Sequence, residues 1–321
     1  MAGITADKGI DTLLWARREE LSEAISTRHE NPDYLPGVRL PPTLEATHDL
    51  EGALASAAVA VMAVPSHAFR SIFRDAVPFL TAETPVVSLT KGIEEDGLKR
   101  MTEVIEEEGN LGPSRVAVLS GPNLAREIAQ RQPSATTLAC ADEDRARSLQ
   151  NLFMAPYFRV YTNPDVVGCE LAGAMKNVLA IAAGIADGMG FGDNAKASII
   201  TRGLAELARL GSRLGGIPLT FAGLSGMGDL IATCYSPLSR NRHVGVELGR
   251  GRGLDEIVEE MKMVAEGVKT SRPLCEIAAD CGVEVPISEH VVEVLYKDVS
   301  PQDMVRSLML REAKAELHGM G

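Results

Sequence analysis

Ala57-Ala-Val-Ala-Val-Met-Ala-Val64 is a continuous apolar run, stopped by Pro65. Pro85-Val-Val-Ser-Leu89 and Val116-Ala-Val-Leu119 are two more such runs, and Thr12-Leu-Leu-Trp15 is a shorter one. Amphipathic helical stretches separate them. Strands that are apolar on both faces and spaced by helices belong to a parallel sheet covered on both sides. Each run ends in small or polar loop residues: Pro65-Ser66, Thr90-Lys91-Gly92 and Ser120-Gly121-Pro122-Asn123. In such sheets ligands bind at the carboxyl ends of the strands. Beyond residue 165 the strand signals nearly stop, and helical patterns follow at 168–187, 194–213, 254–261, 267–281, 288–296 and 301–316. The order predicts an α/β nucleotide-binding domain over residues 1–165 and an all-α domain over 166–321.

The bulk numbers agree with two domains. A chain of 321 residues divides into two units at the usual ~150 residues per domain. An apolar share of 45% and a charged share of 24% are ordinary for a globular protein, so each unit can bury a core. A net charge of −12 argues against non-specific binding to nucleic acid or to an anionic membrane surface. It leaves room for an anionic small substrate in a locally basic site. The five cysteines are an odd number with no C-x-x-C pair. Without a signal peptide they read as reduced thiols of a cytoplasmic protein. The six histidines are scattered, so no metal site is expected. No apolar run approaches ~20 residues, so no integral membrane segment is expected.

Glu170-Leu-Ala-Gly-Ala-Met-Lys-Asn-Val-Leu-Ala-Ile-Ala-Ala-Gly184 sets one lysine on the small-residue face of a helix. At helical spacing Lys176 shares a stripe with Ala172, Gly173, Asn177, Ala180 and Gly184. Small neighbours leave open volume around an ammonium, and a desolvated ammonium readily loses its proton. Such a lysine suits general acid/base work. The plain alternative is a surface lysine lying over small residues.

Four further segments carry polar groups. Lys91, at a strand end, suits a phosphate or a substrate hydroxyl; a solvated loop lysine is the alternative. Gly121-Pro-Asn-Leu-Ala125 offers backbone donors near a helix start, or is a turn with an N-cap. Gly226-Met-Gly-Asp229-Leu-Ile-Ala-Thr-Cys-Tyr-Ser-Pro-Leu-Ser239-Arg240-Asn241-Arg242 brings together a carboxylate, hydroxyls, two guanidiniums and an amide. Arg binds phosphate bidentately, while Ser and Asn complete the oxygen contacts. Asp229 can accept from a substrate hydroxyl or from Lys176. In Met263-Val-Ala-Glu266-Gly-Val-Lys-Thr270, Glu266 can take a cofactor ribose or amide; taken alone it is a helix-start signal.

Set in order, these pieces resemble the bacterial-type NAD(P)-dependent glycerol-3-phosphate dehydrogenases. The matching stretches are Leu14-Trp-Ala-Arg-Arg18, His29-Glu-Asn-Pro-Asp-Tyr-Leu-Pro-Gly37, Ser88-Leu-Thr-Lys-Gly-Ile-Glu94 and Ser120-Gly-Pro-Asn123. They continue with Glu170–Val178, Asn194 with Thr201-Arg-Gly-Leu-Ala-Glu206, Gly223-Leu-Ser-Gly-Met-Gly-Asp-Leu230, Ser239-Arg-Asn-Arg242 and Val264-Ala-Glu-Gly267. Each alone is weak; the ordered set spans nearly the whole chain. The resemblance implies NAD(P)H-dependent, reversible reduction of dihydroxyacetone phosphate to sn-glycerol 3-phosphate, supplying glycerophospholipid synthesis in the cytoplasm, with a homodimer possible. Lys176 would be the proton donor at the C2 oxygen. Lys91, Gly121, Asn123, Asp229, Ser239, Arg240 and Asn241 would hold the substrate. Arg17, Arg18, Tyr34, Lys91, Ala125, Arg240, Val264 and Glu266 would line the cofactor. At Asn123 the family usually has serine.

The amino end departs from the pattern. A Rossmann-like domain opens with a strand and G-x-G-x-x-G, whose backbone cradles the pyrophosphate. Here Met1–Gly9 corresponds to the later part of the helix after that loop, and Asp11–Arg18 to the second strand. The expectation is therefore a chain that lacks the first strand and glycine loop, through a misassigned or truncated start, with a slot left in the sheet and weak dinucleotide binding. Two other readings stand beside the enzyme: a cofactor-blind, non-catalytic paralogue that binds substrate, and a related β-hydroxyacid dehydrogenase. The Ser-Arg-Asn segment argues against the last.

Overall fold

The computed structural model describes residues 1–261 and 263–316. Strands β1 (Leu13–Trp15), β2 (Glu30–Asn31), β3 (Leu35–Arg39), β4 (Glu45–Thr47), β5 (Ala60–Met62), β6 (Val86–Ser88), β7 (Val116–Ser120), β8 (Ser134–Cys140) and β9 (Phe158–Asn163) form three sheets among the described residues. β1 pairs with β4 in parallel, β2 pairs with β3 antiparallel, and β5-β6-β7-β8-β9 make a five-stranded sheet in that order. The apolar runs do become strands, but the one at Ala57–Val64 is trimmed to Ala60–Met62. Val61 at its centre is 39% exposed, so this strand is not covered on both faces.

The expectation of an all-parallel sheet needs correction. Within the five-stranded sheet β7 and β8 run antiparallel, while the other three pairs are parallel. A parallel return needs a crossover of a dozen or more residues, normally built on a full helix. The 121–133 connection carries only the five-residue helix Ala125–Ala129, and the chain doubles back. The β1–β4 pair stands apart from the five-stranded sheet. The Ala2–Asp7 helix joins the two. Its Ile4 packs with Val87, Ala117, Leu119 and Leu138, and its Ala6 with Ala16, Leu21, Ile25 and Leu44.

After Asn163 the described residues form only helices and loops. Val166–Gly188, Asp193–Arg213, Leu254–Glu260, Glu266–Asp280 and Pro286–Tyr296 follow the periodic patterns closely; the last pattern stops early, as Pro301–Met309. The helices Asp229–Tyr235 and Arg240–Gly249 replace what reads in the sequence as one loop.

The Val166–Gly188 helix is the axis of this half. Every residue from Gly168 to Ala186 is buried. Asp165 starts it, accepting from the Gly168 backbone N–H at 2.7 Å, and its other oxygen accepts from Ile217 N at 2.7 Å. By length and composition this helix could cross a membrane, contrary to the count of apolar runs, but it lies inside the protein. Its small residues are filled rather than open. A Cβ on Gly184 would stand 2.2 Å from the Arg242 carbonyl oxygen, and one on Gly245 would stand 2.1 Å from that of Ile181. Two helices thus cross in backbone contact. The stripe of small residues serves close packing, which corrects the idea that it leaves free volume around Lys176.

Candidate active site

Lys176 lies midway along the core helix and is 7% exposed. Its Nζ donates to Thr233 Oγ1 at 2.8 Å and stands 3.1 Å from Asp229 Oδ1. The second carboxylate oxygen, Oδ2, accepts from Lys91 Nζ at 2.5 Å. Lys91 also donates to the Gly121 carbonyl at 2.7 Å. The Thr233 hydroxyl donates to Asp229 Oδ1 at 3.1 Å. Three segments distant in sequence therefore meet on one carboxylate: the loop after β6, the core helix and the Asp229–Tyr235 helix.

Local sequence explains each placement. Asp229 opens its helix, where a carboxylate is favoured by the helix dipole. Thr233 follows at i+4 and so shares its face. Gly173 lets the loop close on the core helix, since a Cβ there would meet Ser120 Oγ at 2.8 Å and Lys91 Cγ at 3.3 Å.

The cluster holds two ammoniums and one carboxylate away from water. Burial disfavours the charge on Lys176 most strongly; Asp229 opposes this, and the Lys91 ammonium adds to it. The outcome is a lysine whose pKa falls to about 8. Burial alone would raise the Asp229 carboxyl, but the two lysines overcome that and hold it below the usual carboxylate range. A lysine near neutrality, fixed by a carboxylate and a hydroxyl, can exchange a proton with a substrate oxygen.

A line of side-chain amides runs beside this cluster. Asn177 Nδ2 donates to the Lys91 carbonyl at 3.2 Å, and Asn177 Oδ1 accepts from Asn241 Nδ2 at 2.9 Å. Asn241 Oδ1 accepts from Gly267 N at 2.9 Å. Both polar ends of Asn241 are thus engaged within the protein. Ser239 caps the Arg240–Gly249 helix through an acceptor bond from Arg242 N at 3.2 Å. Arg240 is exposed at the rim and donates to the Val264 carbonyl at 2.7 Å. Glu266 opens its helix and accepts from Ser66 N at 3.2 Å and from Ser66 Oγ, tying the helical half to the α/β half.

The other sequence-selected residues sit outside this bonded cluster. Asn123 Nδ2 donates to Thr136 Oγ1 at 3.0 Å, and its Oδ1 is buried without a partner among the described residues. Ala125 opens the short helix after β7. Arg17 is exposed just past β1, Arg18 pairs with Asp33, and Tyr34 is exposed between β2 and β3. Thr233 and the bridging role of Asn177 are missing from the sequence reading. Their only sequence signals are the four-residue step from Asp229 and adjacency to Lys176. A separate hollow of ≈ 220 Å³ is lined by Thr137, Asn163, Thr220, Leu224 and Ser225 among others. It holds none of these residues, so converging ionisable groups, rather than volume, mark the site.

An α/β half joined to a helical half that buries a near-neutral lysine is the make-up of a nicotinamide-dependent dehydrogenase. Residues 1–146 match the family model for the N-terminus of NAD-dependent glycerol-3-phosphate dehydrogenase, and residues 165–306 match the model for its C-terminus. The glycerol-3-phosphate dehydrogenase [NAD(P)+] of Thermobifida fusca is 54% identical over 320 residues, covering 99% of this chain and 95% of that protein. That of Streptomyces avermitilis is 52% identical, with 98% and 93% covered. The crystal structure of glycerol-3-phosphate dehydrogenase from Coxiella burnetii superposes with a TM-score of 0.92 at 36% identity, covering 97% of this chain and 94% of that one. The chain belongs to the NAD-dependent glycerol-3-phosphate dehydrogenase family.

Proposed function

We propose that this chain reduces dihydroxyacetone phosphate to sn-glycerol 3-phosphate with NAD(P)H, and runs the reverse reaction. The observation that carries the reading is the buried Lys176–Asp229–Lys91 cluster, with Lys176 tuned to about 8. Family membership and the names of its relatives support the substrate. When bound, the nicotinamide supplies the hydride to C2.

The residues do the rest. In the reductive direction Lys176 Nζ hands a proton to the C2 oxygen as that oxygen gains charge, and leaves as a neutral amine. Thr233 and Asp229 hold Nζ in place. Lys91, paired with Asp229, orients the same oxygen or the neighbouring hydroxyl. Arg240 and the free N–H groups at the start of its helix take the phosphate, with Ser239 beside them. Asn241 acts from its backbone, because its side chain is engaged by Asn177 and Gly267. Gly121 and Asn123 close the substrate end from the loop after β7.

The residues present fit a dinucleotide. Among the described residues the Arg240 side chain bonds one backbone carbonyl, which leaves donors for a phosphate. Arg17 stands exposed at the end of β1, where a 2′-phosphate falls in such folds. Arg18, Tyr34, Lys91, Ala125, Val264 and Glu266 complete the proposed lining. In this reading residues 1–165 are the cofactor domain, which lends Lys91, Gly121 and Asn123 to the substrate, and 166–321 are the substrate and catalytic domain, which lends Arg240, Val264 and Glu266 to the cofactor.

The product is the backbone of glycerophospholipids, and we assign the enzyme to their synthesis in the cytoplasm. A homodimer is supported by exposed apolar side chains on one stretch, among them Ile217, Leu219, Ile231 and Leu238. The test is NADPH consumption by the purified chain on adding dihydroxyacetone phosphate. Turnover supports the reading. Tight binding of the substrate without turnover would favour a non-catalytic paralogue.

A further inference from the structure

Glu170 precedes Lys176 by six residues on the core helix and is buried, 7% exposed. A buried carboxylate must be fully bonded, and this one is bonded entirely to a segment of the α/β half. Its Oε1 accepts from Thr102 N at 2.9 Å. Its Oε2 accepts from Thr102 Oγ1 and from Arg100 Nη1 at 2.7 Å. Arg100 is in turn held by Glu103, whose Oε2 accepts from Arg100 N at 2.8 Å. Glu170 thus completes the N-terminus of the Met101–Gly109 helix from outside that helix.

The segment it holds is the one that carries Lys91. Arg100 bridges antiparallel to Ile93, and Glu94 N donates to the Lys99 carbonyl at 2.9 Å. Residues 93–100 therefore form a closed excursion hanging from Lys91-Gly92. Ile93 is 1% exposed and packs in the core of the helical half with Ala172 and Met175. The other fastening is Asn177 on the Lys91 carbonyl. The loop is pinned to the core helix on two sides of Lys176, at positions 170 and 177.

We propose that Glu170 is a positioning residue that fixes the Lys91 ammonium relative to Lys176 across the shared Asp229 carboxylate. It touches no reacting atom. It rests on the reading of Lys176 as the proton donor. Its removal lets the 91–100 segment move away from the core helix. The Lys91 charge then presses less on Lys176, and the proton-holding power of Lys176 rises.

The test compares full-length wild type, Glu170→Gln and the milder Thr102→Val. Three quantities are read: kcat and KM for dihydroxyacetone phosphate, NADPH affinity by calorimetry, and the titration of Lys176 by NMR in protein labelled at the lysine Cε. A displacement of ~1 Å at a reacting group costs up to ~10²-fold. Glu170→Gln is expected to lower kcat by about 10- to 100-fold, to weaken NADPH binding by a smaller factor because Lys91 also lines the cofactor, and to shift the Lys176 titration upward. Thr102→Val is expected to move kcat and the titration the same way by less, which separates positioning from general destabilisation. Wild-type kcat and an unmoved Lys176 titration in a folded Glu170→Gln protein, or in Thr102→Val if the first variant unfolds, would overturn the proposal. Failure of the underlying reading looks different: Lys176→Ala would itself turn over normally.

Discussion

Lys176 Nζ lies 3.1 Å from Asp229 Oδ1, while the other oxygen of the same carboxylate is taken by Lys91. One buried anion thus serves two cations, and one positive charge is left over. Burial first, and that surplus second, hold Lys176 below an ordinary lysine.

Asp229→Asn removes the shared anion and leaves two buried ammoniums facing a neutral amide. The proton on Lys176 is then less stable still, and the alignment of both lysines is lost. Removing one partner of a buried pair typically costs ~3–5 kcal/mol. We expect kcat to fall by at least ~10² and the thermal midpoint to drop. Near-normal turnover in Asp229→Asn would mean that the carboxylate is not what aligns Lys176.

The pH dependence follows from the lowered Lys176 pKa of about 8. Reduction needs the ammonium, so its kcat should be flat below that pH and fall above it. Oxidation of glycerol 3-phosphate needs the free amine, so its kcat should rise through the same range. Opposite limbs with a common midpoint, from initial rates in both directions, are the expected result. Parallel limbs would contradict it.

Arg240→Ala should weaken phosphate recognition. Loss of a charge-assisted pair costs about 1.5–3 kcal/mol, so kcat/KM should fall roughly 10- to 150-fold. Activity on glycerol or dihydroxyacetone lacking the phosphate should fall less, by only the share that Arg240 contributes to the cofactor. Equal penalties on phosphorylated and unphosphorylated substrates would show that Arg240 does not read the phosphate.

Cofactor choice rests on Arg17 and Arg18. Arg18 is paired with Asp33, whereas Arg17 is exposed and has no partner among the described residues. NADPH should therefore be preferred or at least accepted, and Arg17→Ala should raise the KM for NADPH more than that for NADH. A preference for NADH unaffected by Arg17→Ala would contradict this.

A structural pH effect is expected at Glu206. This carboxylate, 1% exposed, accepts from Ile287 N at 2.6 Å, Ser288 N at 3.3 Å and Ser288 Oγ at 3.1 Å. Burial raises its pKa to about 7, against those hydrogen bonds and nearby Arg209. The folded state then holds the proton more tightly than the unfolded chain does. Stability from this group is full below the unfolded carboxylate pKa of ~4.3 and falls as pH rises toward 7, by up to about 4 kcal/mol. Glu206→Gln should flatten that slope in denaturant melts between these limits. An unchanged slope would show that Glu206 ionises in the fold as it does in water.

Part of this was legible in the chain. The apolar runs at 57–64, 85–89 and 116–119 announce strands because no more than one serine interrupts them, although Val61 in the first stays exposed. β8, Ser134-Ala-Thr-Thr-Leu-Ala-Cys140, is small and half polar and gives no such signal. In β9 the start Phe158-Arg-Val-Tyr alternates buried and exposed, a two-residue period that makes no continuous apolar run. Lys176, Lys91 and Asp229 stand out as residues, and Lys176 is one of the two partners the sequence offers Asp229; that Lys91 joins them is not legible, because it depends on three segments closing on Gly173. The stripe of small residues is visible in sequence, while its purpose is set by Gly245 on a helix that reads as a loop.

The central claim is that Lys176 delivers the proton. The most direct measurement is single-turnover reduction of dihydroxyacetone phosphate by NADPH-loaded Lys176→Ala, beside wild type, across pH 6 to 10. The account predicts a rate lower by ~10²–10⁴, the usual worth of a general acid, with the limb near 8 gone and NADPH affinity intact. A rate near wild type, or a limb that persists without Lys176, would contradict it.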